Sequence, residues 1–192
     1  MYGLVNKALE QVIQQKYVDQ YGKEKWEDFR RTLVEEDFQN MRQYPDELTY
    51  QMVVEASAAL GIHTDTLLEA VGRYWLLHTA KTGYGPLLQA FGRSPRELLL
   101  QLDNLHTRLR LGYAQLSPPS FSCTDITEDG LLLHYYSRRP GLTIFVVGLL
   151  KGLGDHFGVG IEIEVTQRRD EGADHDIFKL RFVERAPPET SA

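Results

Sequence analysis

The sequence predicts an α+β fold, with a helical N-terminal subdomain and a C-terminal subdomain that combines an antiparallel sheet with helices. Apolar residues recur at three- and four-residue intervals from Leu4 to Leu109, which is typical of amphipathic helices. After the helix-breaking run Ser117–Ser120, apolar and polar residues alternate in several short segments, which is typical of strands. With 192 residues, the chain is long enough for one sizeable core and short for two.

Helical periodicity and helix-ending glycines divide the N-terminal part into five predicted helices. The first three are Tyr2–Tyr17 with a stop at Gly22, Trp26–Leu33, and Leu48–Leu60 with a stop at Gly61. The fourth begins with a capping box of Thr66 and Glu69 and continues through Tyr74, Trp75 and His78. The fifth is Tyr84–Phe91, which Gly92 ends.

A sixth predicted helix has the clearest start signal in the chain. Ser94 can cap it, Pro95 occupies the first helical position, and Glu97 completes a capping box. The helix then carries a leucine stripe, and His106 lies on the same face. The leucines of this stripe are Leu98, Leu102, Leu105 and Leu109.

The C-terminal part alternates strands with one helix. The predicted elements are strands at Phe121–Thr124 and Leu131–Ser137 around a turn at Glu128–Gly130, a helix at Leu142–Phe157 ended by Gly158, and a hairpin whose strands carry Ile161, Ile163 and Val165 and then Phe178, Leu180 and Phe182. Residues 186–192 form a linker-like tail.

Composition excludes several classes of function. The net charge of -6 argues against a nucleic-acid partner, because no basic stripe is present to neutralise phosphates. The single cysteine, Cys123, excludes an internal disulfide framework. The longest apolar run, Leu142–Leu150, is too short to cross a membrane, and the N-terminus lacks a basic signal-peptide region. We therefore expect a soluble, cytoplasmic protein without a membrane partner.

Three features carry candidate chemistry, and each also has an ordinary structural interpretation. His106 is either a core histidine bonded to a backbone carbonyl or a metal ligand. In an extended strand, Tyr135, Ser137 and Arg139 would share one face at about 6.6 Å spacing and suit two carboxylates, although an exposed polar face is the alternative. The pair Pro118–Pro119 is a rigid turn that could also press on a planar cofactor.

Together these features match the needs of a haem: an axial imidazole, a wall against the macrocycle and partners for the propionates. With these features the sequence resembles a known family, the H-NOX (haem nitric oxide/oxygen-binding) domains, which are related to the sensor region of soluble guanylate cyclase. The resemblance covers residues 1–185, which we expect to form one sensor domain. The segments that carry it are Leu102–His106, Pro118–Phe121 and Leu133–Arg139, together with Met1–Asn6, Gly83–Gly85 and Asp174–His175.

The resemblance implies a haem b (ferrous iron protoporphyrin IX) between the two subdomains, with His106 as proximal ligand. It implies that Tyr135, Ser137 and Arg139 bind the propionates and that Pro119 contacts and distorts the porphyrin. It also implies a sensor rather than an enzyme. In this family nitric oxide weakens the iron–histidine bond, and the freed helix signals to a partner such as a histidine kinase, a guanylate cyclase or a diguanylate cyclase.

The hydrogen-bond donors available on the distal side of the haem predict which gas the domain binds. Members of the family that hold oxygen carry a distal tyrosine at the position where the resemblance places Phe145, which has no hydroxyl. Leu4, Val5 and Leu9 make the neighbouring wall apolar. We therefore predict binding of nitric oxide and carbon monoxide with oxygen excluded. Trp75 departs from this pattern because its indole N–H is a donor, unless it only packs in the core.

Two alternatives remain open, an oxygen-binding H-NOX domain and a haem enzyme such as a peroxidase. The enzyme would need a distal acid–base group, for which His78 is the candidate. The segment Asp174–Asp176 could also be read as metal ligands. A solvated turn is the preferred interpretation of it, because no second histidine lies at ligand spacing.

Overall fold

The computed structural model of the chain describes residues 1–34, 37–40, 42–80, 90–112 and 117–184. The elements with both ends described are six α-helices, one π-helix, one 3₁₀ turn and four strands. The described residues fall into two compact units, one containing Met1–Thr79 and Ile144–Leu149, the other drawn from Ala80–Thr143 and Leu150–Ala192. Helices followed by one antiparallel sheet confirm the predicted α+β class.

The first unit opens with three helices, α1 (Gly3–Tyr21), α2 (Lys23–Leu33) and α3 (Asp46–Leu60). Gly22 separates the first two with φ of 87°, and Gly61 ends the third with φ of 65°. Both values lie in the left-handed half of φ space, which favours glycine. The three helices and the two glycine stops confirm the sequence predictions, although α2 starts three residues earlier than predicted, α3 two residues earlier and α1 one residue later.

Helix α4 (Thr64–Tyr74) begins before the position that the sequence predicted. The predicted capping box of Thr66 and Glu69 is wrong, because His63 is the N-cap residue. Its Nδ1 accepts a hydrogen bond from the backbone N–H of Asp65 at 3.2 Å. A histidine cap was missed because serine, threonine, asparagine and aspartate are the usual capping residues.

The chain leaves α-helical geometry after Tyr74. Trp75–Ala80 form a π-helix, so the predicted α-helix through His78 is correct in extent and wrong in type. Such wider turns are rare and are frequent at functional sites. Of the predicted helix Tyr84–Phe91, residues 90–91 are helical and the rest lies outside the described residues, as do Gly83–Gly85 and the tail 186–192.

The core of the first unit is apolar and includes residues from both of its chain segments. Phe145 packs against it from the second segment, and Trp75 packs against it from the π-helix. Gly72 and Gly148 sit where a β-carbon would overlap the backbone of Phe145 and Glu69, respectively. The buried cluster consists of Ala8, Leu9, Val12, Ile13, Trp26, Leu33, Val34, Phe38, Tyr44, Met52, Val53, Ala56, Leu67 and Val71.

The second unit contains helix α5 (Pro95–Gly112), which starts as the sequence predicted. The Ser94 hydroxyl accepts from the backbone N–H of Glu97 at 3.2 Å, and the Glu97 carboxylate accepts from the backbone N–H of Arg93 at 2.8 Å. These two bonds satisfy amides that the first helical turn cannot pair itself. The strong start of this helix therefore resides in its own sequence.

The sheet of the second unit is antiparallel, with strand order β1-β2-β4-β3. Its strands are β1 (Ser120–Thr124), β2 (Gly130–Tyr136), β3 (Val159–Gln167) and β4 (Asp176–Glu184). The predicted hairpin of β3 and β4 is confirmed, and its loop includes a 3₁₀ turn at Arg169–Glu171.

Strand β2 ends one residue earlier than predicted. Tyr136 is its last residue, and the chain bends from Arg138 to Gly141. Helix α6 (Thr143–Phe157) follows, and Gly158 ends it with φ of 69° as expected. Among the helices of the described ranges, none has the length and apolar character needed to cross a membrane.

Candidate functional site

His106 lies on α5, partly buried and one residue after the buried Leu105. Its Nδ1 is 3.1 Å from the backbone carbonyl oxygen of Pro119. Because a carbonyl oxygen can only accept, Nδ1 carries the proton and Nε2 carries the lone pair. Nε2 has no hydrogen-bond partner among the described residues. The imidazole is thus oriented and left with one nitrogen free to bind a metal.

The surroundings keep this imidazole neutral. Burial lowers the pKa of His106, while the bond to Pro119 and the charge of Asp103 partly offset that effect. A metal ligand must be unprotonated at the binding nitrogen, so a lowered pKa favours metal binding at neutral pH.

Helix α5 is bonded to strand β1 at several points along its length. The Asp103 carboxylate accepts from the Ser120 hydroxyl at 3.0 Å and from the backbone N–H of Phe121 at 3.3 Å. The Cys123 thiol donates to the carbonyl oxygen of Leu99 at 3.7 Å, and burial raises the pKa of that thiol. Sequence reasoning assigned no role to Asp103, although it precedes His106 by three residues on the same helix.

An aromatic side chain links His106 to the predicted propionate site. The Phe121 ring is 5.6 Å from the His106 ring and 5.2 Å from the Tyr135 ring, between centroids. Tyr135 is buried on β2, with Asp176 as its register partner on β4. The structure therefore brings His106, Pro119 and Tyr135 together within the second unit.

Ser137 and Arg139 lie in the bend after β2, so the prediction that they continue a strand row with Tyr135 is wrong. Ser137 accepts from the backbone N–H of Arg139 at 3.1 Å, which curls the segment on itself. The Arg169 guanidinium donates to the Ser137 carbonyl at 2.9 Å. Arg169 is a second cation at this segment. The sequence analysis missed it because Arg169 lies 32 residues after Ser137 in the chain.

The predicted distal residues belong to the first unit. Leu4 and Val5 are partly buried on α1, and Phe145 and Trp75 pack against the apolar cluster. The Trp75 Nε1 atom is buried and, among the described residues, has no hydrogen-bond partner. Such an unpaired buried donor is uncommon and costs about 1–3 kcal/mol.

Two neighbours of Trp75 can be assigned from their contacts. The Tyr74 hydroxyl donates to the Gln11 side chain at 2.8 Å, so this hydroxyl already has a partner. His78 is exposed and its ring lies 4.5 Å from the Tyr74 ring. This placement gives no support to His78 as the buried acid–base group that a haem enzyme would need.

These features match a family of known proteins. The family model described as haem-NO-binding matches residues 2–165. The chain belongs to this haem-NO-binding family. The H-NOX resemblance is therefore confirmed, and the chain is a haem-based gas-sensor domain related to soluble guanylate cyclases.

Relatives among curated proteins are much longer than this chain. The soluble guanylate cyclase gcy-33 of Caenorhabditis elegans is 31% identical over 173 residues, which make up 90% of this chain and 18% of that protein. The soluble guanylate cyclase 89Db of Drosophila melanogaster is 26% identical over 159 residues, 82% of this chain and 23% of that protein. The H-NOX chain thus spans less than a third of the length of these relatives.

Solved structures show the same fold. An H-NOX protein from S. oneidensis in the Fe(II)NO ligation state superposes with a TM-score of 0.81 at 19% identity, covering 95% of this chain and 99% of that chain. The Fe(II) unliganded H-NOX protein from K. algicida gives 0.79 at 22% identity, covering 97% and 99%.

The side chains present fit the cofactor of an H-NOX domain. His106 offers a neutral imidazole with an oriented nitrogen that has no partner among the described residues. The bend after β2 brings Ser137, Arg139 and the guanidinium of Arg169 close together, and guanidinium groups suit propionate carboxylates. Within the described ranges, no group of three histidine, cysteine or acidic side chains is arranged to hold a metal ion.

Proposed function

We propose that residues 1–185 form a sensor that binds haem b through His106 and responds to nitric oxide. When bound, the cofactor supplies a ferrous iron able to take up nitric oxide or carbon monoxide. The single observation that carries the proposal is the bond from His106 Nδ1 to Pro119, because it orients Nε2 as a ligand.

The protein would hold the acidic edge of the cofactor with Tyr135, Ser137 and Arg139. Ser137 and Arg139 lie in the bend after β2, and Arg169 adds a second guanidinium to the same segment. Guanidinium groups form strong, charge-assisted bonds to carboxylates. Pro119 would contact the macrocycle, since the carbonyl of this residue already bonds the axial imidazole.

Selectivity for nitric oxide over oxygen is supported by the apolar side chains assigned to the distal side. Phe145, Leu4 and Val5 carry no side-chain donor. Dioxygen needs a hydrogen-bond donor to be retained, whereas nitric oxide does not. A pocket lined by these side chains would therefore favour nitric oxide and carbon monoxide.

One observation favours a second candidate, an oxygen-binding domain. The buried Trp75 Nε1 has no partner among the described residues, so it is a donor available to a ligand. Under this alternative the indole N–H would stabilise bound oxygen. Under the main proposal the same N–H stays unpaired or contacts a weaker acceptor.

Visible spectroscopy separates the two candidates. The main proposal predicts that the reduced protein gives the same spectrum under argon and under air over minutes, and a new spectrum with nitric oxide. A stable change under air that Trp75→Phe abolishes would establish the oxygen-binding alternative instead. Protein that stays colourless after hemin reconstitution contradicts both.

The axial assignment has its own test. His106→Gly is expected to remove the protein's ligand to the iron, so the visible spectrum of the reduced protein should change and added imidazole should restore it. His78→Gly serves as the matched control, and its spectrum should match that of the unaltered protein. A His106→Gly spectrum that equals the unaltered one without imidazole would contradict the assignment of His106.

Signalling would act through helix α5, which carries His106. His106 would link α5 to the cofactor, while Asp103, the Leu99 carbonyl and the contact of His106 with Pro119 link the same helix to β1 and the residue before it, so a change at His106 would act on these bonds. The guanylate cyclase relatives make a cyclase one candidate partner, and a histidine kinase or diguanylate cyclase is the other. Pull-down with and without nitric oxide from the source cells tests this part.

A further inference from the structure

Asp176, the first residue of β4, is an acidic residue with only 4% of its surface exposed. Its Oδ1 atom accepts two hydrogen bonds, one from the Thr143 hydroxyl at 3.1 Å and one from the backbone N–H of Arg169 at 2.9 Å. The solvated turn preferred for Asp174–Asp176 is therefore wrong for His175 and Asp176, which are both buried. Burial removes a carboxylate from water at a high cost, so the hydrogen bonds that it accepts have to offset that loss.

Arg169 is bonded through both its backbone and its side chain. Its backbone N–H donates to Asp176, and its guanidinium donates to the carbonyl oxygen of Ser137 at 2.9 Å. The link from Asp176 to Ser137 therefore passes through one residue, and each of its bonds joins two atoms in direct contact. The Ser137 hydroxyl in turn accepts from the backbone N–H of Arg139 at 3.1 Å, so the link extends to both residues of the bend that were assigned to the propionates.

The far end of the bend after β2 is held by the same loop. The Asp170 carboxylate accepts from the backbone N–H of Gly141 at 3.4 Å, and Asp176 itself accepts from Thr143 shortly after the bend. The segment between β2 and α6 is thus anchored at positions 137, 141 and 143. The bond within the bend fixes its shape, whereas these anchors fix its place on the sheet. Asp176 takes part in the first and the third of them.

A carboxylate suits this position better than an amide. Helix α6 begins at Thr143, has no acidic residue in its first turn, and receives no side-chain cap from Leu142. The N-terminal end of a helix favours a nearby negative charge, which Asp176 supplies from β4. Hydrogen bonds to a charged oxygen are also about twice as strong as those between neutral groups. The charge of Asp176 therefore strengthens both anchors that depend on it.

We propose that Asp176 is a positioning residue, which holds the Ser137–Arg139 segment in place on β4 through its bonds to Arg169 and Thr143. It also lies opposite Tyr135 in the register of β2 and β4, so the predicted propionate-binding residues surround it along the chain and across the sheet. Any effect on haem rests on the proposed function, because this segment would bind the propionates. The anchoring itself concerns only the chain's own residues.

Amide NMR of the ¹⁵N-labelled full chain without hemin tests the anchoring. Asp176→Asn and Arg169→Ala are each expected to shift the amide signals of Ser137–Arg139 and to raise the mobility of these amides in ¹⁵N relaxation. The double variant should add little to either single variant, because both changes weaken the same link. Signals that stay constant in Asp176→Asn would overturn the proposal, and so would shifts that simply add in the double variant.

Glu171→Gln is the matched control for the loss of charge. Glu171 lies in the same loop, is exposed, and its carboxylate pairs with Arg168 at 3.7 Å. The amide signals of Ser137–Arg139 should be unchanged in this variant, and shifts as large as those of Asp176→Asn would contradict a specific anchor.

Two further variants carry the test if Asp176→Asn does not fold. Arg169→Ala removes the guanidinium that holds Ser137, and Thr143→Val removes the hydroxyl that bonds Asp176. Each is expected to shift the amide signals of the Ser137–Arg139 segment. Constant signals in both variants would overturn the proposal.

Hemin retention distinguishes positioning from a general loss of structure. Asp176→Asn is expected to release hemin to an excess of a haem-scavenging protein about tenfold faster, which is the effect of losing about one hydrogen bond to a charged group. The visible spectrum of the reduced protein should stay unaltered, because His106 is oriented by its own bond to Pro119. An unchanged release rate or an altered spectrum would contradict a positioning role toward the propionates.

The outcomes also separate this inference from the proposed function. A chain that fails to retain hemin, while its Ser137–Arg139 amides respond to Asp176→Asn and Arg169→Ala, overturns the proposed function alone. A chain that retains hemin through His106, while these amides stay constant in both variants, overturns the positioning role alone.

Discussion

Two helix contacts, one in each unit, are built in opposite ways. In the first unit, Gly72 of α4 and residues of α6 meet backbone to backbone, so that no side chain separates them. In the second unit, hydrogen bonds made by Asp103, His106 and the Leu99 carbonyl join α5 to β1 and the residue before it, and they add to the burial of Leu98, Leu99 and Leu105. The first contact has a single close-packed geometry, whereas the second can lose individual bonds and remain assembled.

This difference indicates which helix is suited to move. A close-packed apolar contact resists displacement because any shift opens a cavity or creates a clash. A contact made of separate hydrogen bonds can exchange them one at a time at about 1 kcal/mol each. The hydrogen bonds that position the helix carrying His106 are of this second kind, so they can exchange while its buried leucines keep the helix packed.

The largest effect is expected from filling the close contact of the first unit. Gly72→Ala places a methyl group on the Phe145 carbonyl and should lower the free energy of unfolding by about 3 kcal/mol. Urea denaturation of the haem-free protein measures this loss. Gly61→Ala is a poor control because of its positive φ, so Ser57→Ala on the neighbouring helix is preferred and should change stability less. An unchanged free energy of unfolding in Gly72→Ala would show that the contact between α4 and α6 is not close-packed, which contradicts the contrast with α5 and β1.

A smaller effect is expected at the hydrogen-bonded contact. Asp103→Ala removes the acceptor for Ser120 and Phe121 and should cost about 1–3 kcal/mol, because the Phe121 amide loses its partner. Asp103→Asn keeps an oxygen acceptor and should cost less than half as much. Asp103→Asn should also lower the pKa of His106 further, since the negative charge is lost. Equal losses in both variants would indicate that charge, rather than hydrogen bonding, holds α5.

The pH dependence of stability sharpens the same comparison. The pKa of His106 is lowered in the folded chain, so below about pH 6.5 the unfolded chain takes up the proton first. The contribution of His106 to the free energy of unfolding is therefore complete above that pH. It falls on acidification by at most about 1.4 kcal/mol per pH unit. Urea titrations of the haem-free protein at several pH values between 7.5 and 5 give the free energy of unfolding as a function of pH. This free energy should fall less steeply with acidification in His106→Gln than in the unaltered protein. An unchanged slope contradicts the lowered pKa.

The smallest effect is expected at Trp75. Trp75→Phe removes a buried N–H that has no partner among the described residues, which stabilises the protein and offsets the lost ring contacts. The free energy of unfolding should therefore change by no more than about 1 kcal/mol. Trp26→Phe is the matched control, because Trp26 is only 2% exposed within the same cluster and has no such gain. Thermal unfolding of the two haem-free variants measures the difference. A larger loss at Trp75 would show that its N–H is paired.

Most element positions could be predicted from the sequence because their signals are local. The start of α5 depends on Ser94 and Glu97, and the end of α3 depends on Gly61, all within a few residues of the boundary. The start of α4 could not be predicted, since His63 is an unusual cap. The end of β2 could not be predicted either, because the bend after Tyr136 depends on Arg169 and Asp170 from a distant loop.

The candidate site divides in the same way. His106, Pro119 and Tyr135 were predicted together, and the fold does bring them together around Phe121. The strand geometry assumed for Ser137 and Arg139 was wrong, and Asp103 and Arg169 were missed. A residue that acts by positioning another carries no signature of its own, since its role exists only when the two are in contact.

The sequence by itself determined the α+β class, the helix that carries His106 and the family to which the chain belongs. These depend on periodicity, caps and short motifs, which act over a few neighbouring residues. Only the tertiary structure decided which nitrogen of His106 has no partner, and that the indole N–H of Trp75 has none, in the part of the chain that the structure describes. Each of these is set by groups far apart in the chain, and a hydrogen bond forms only where the fold brings its two atoms within about 3 Å.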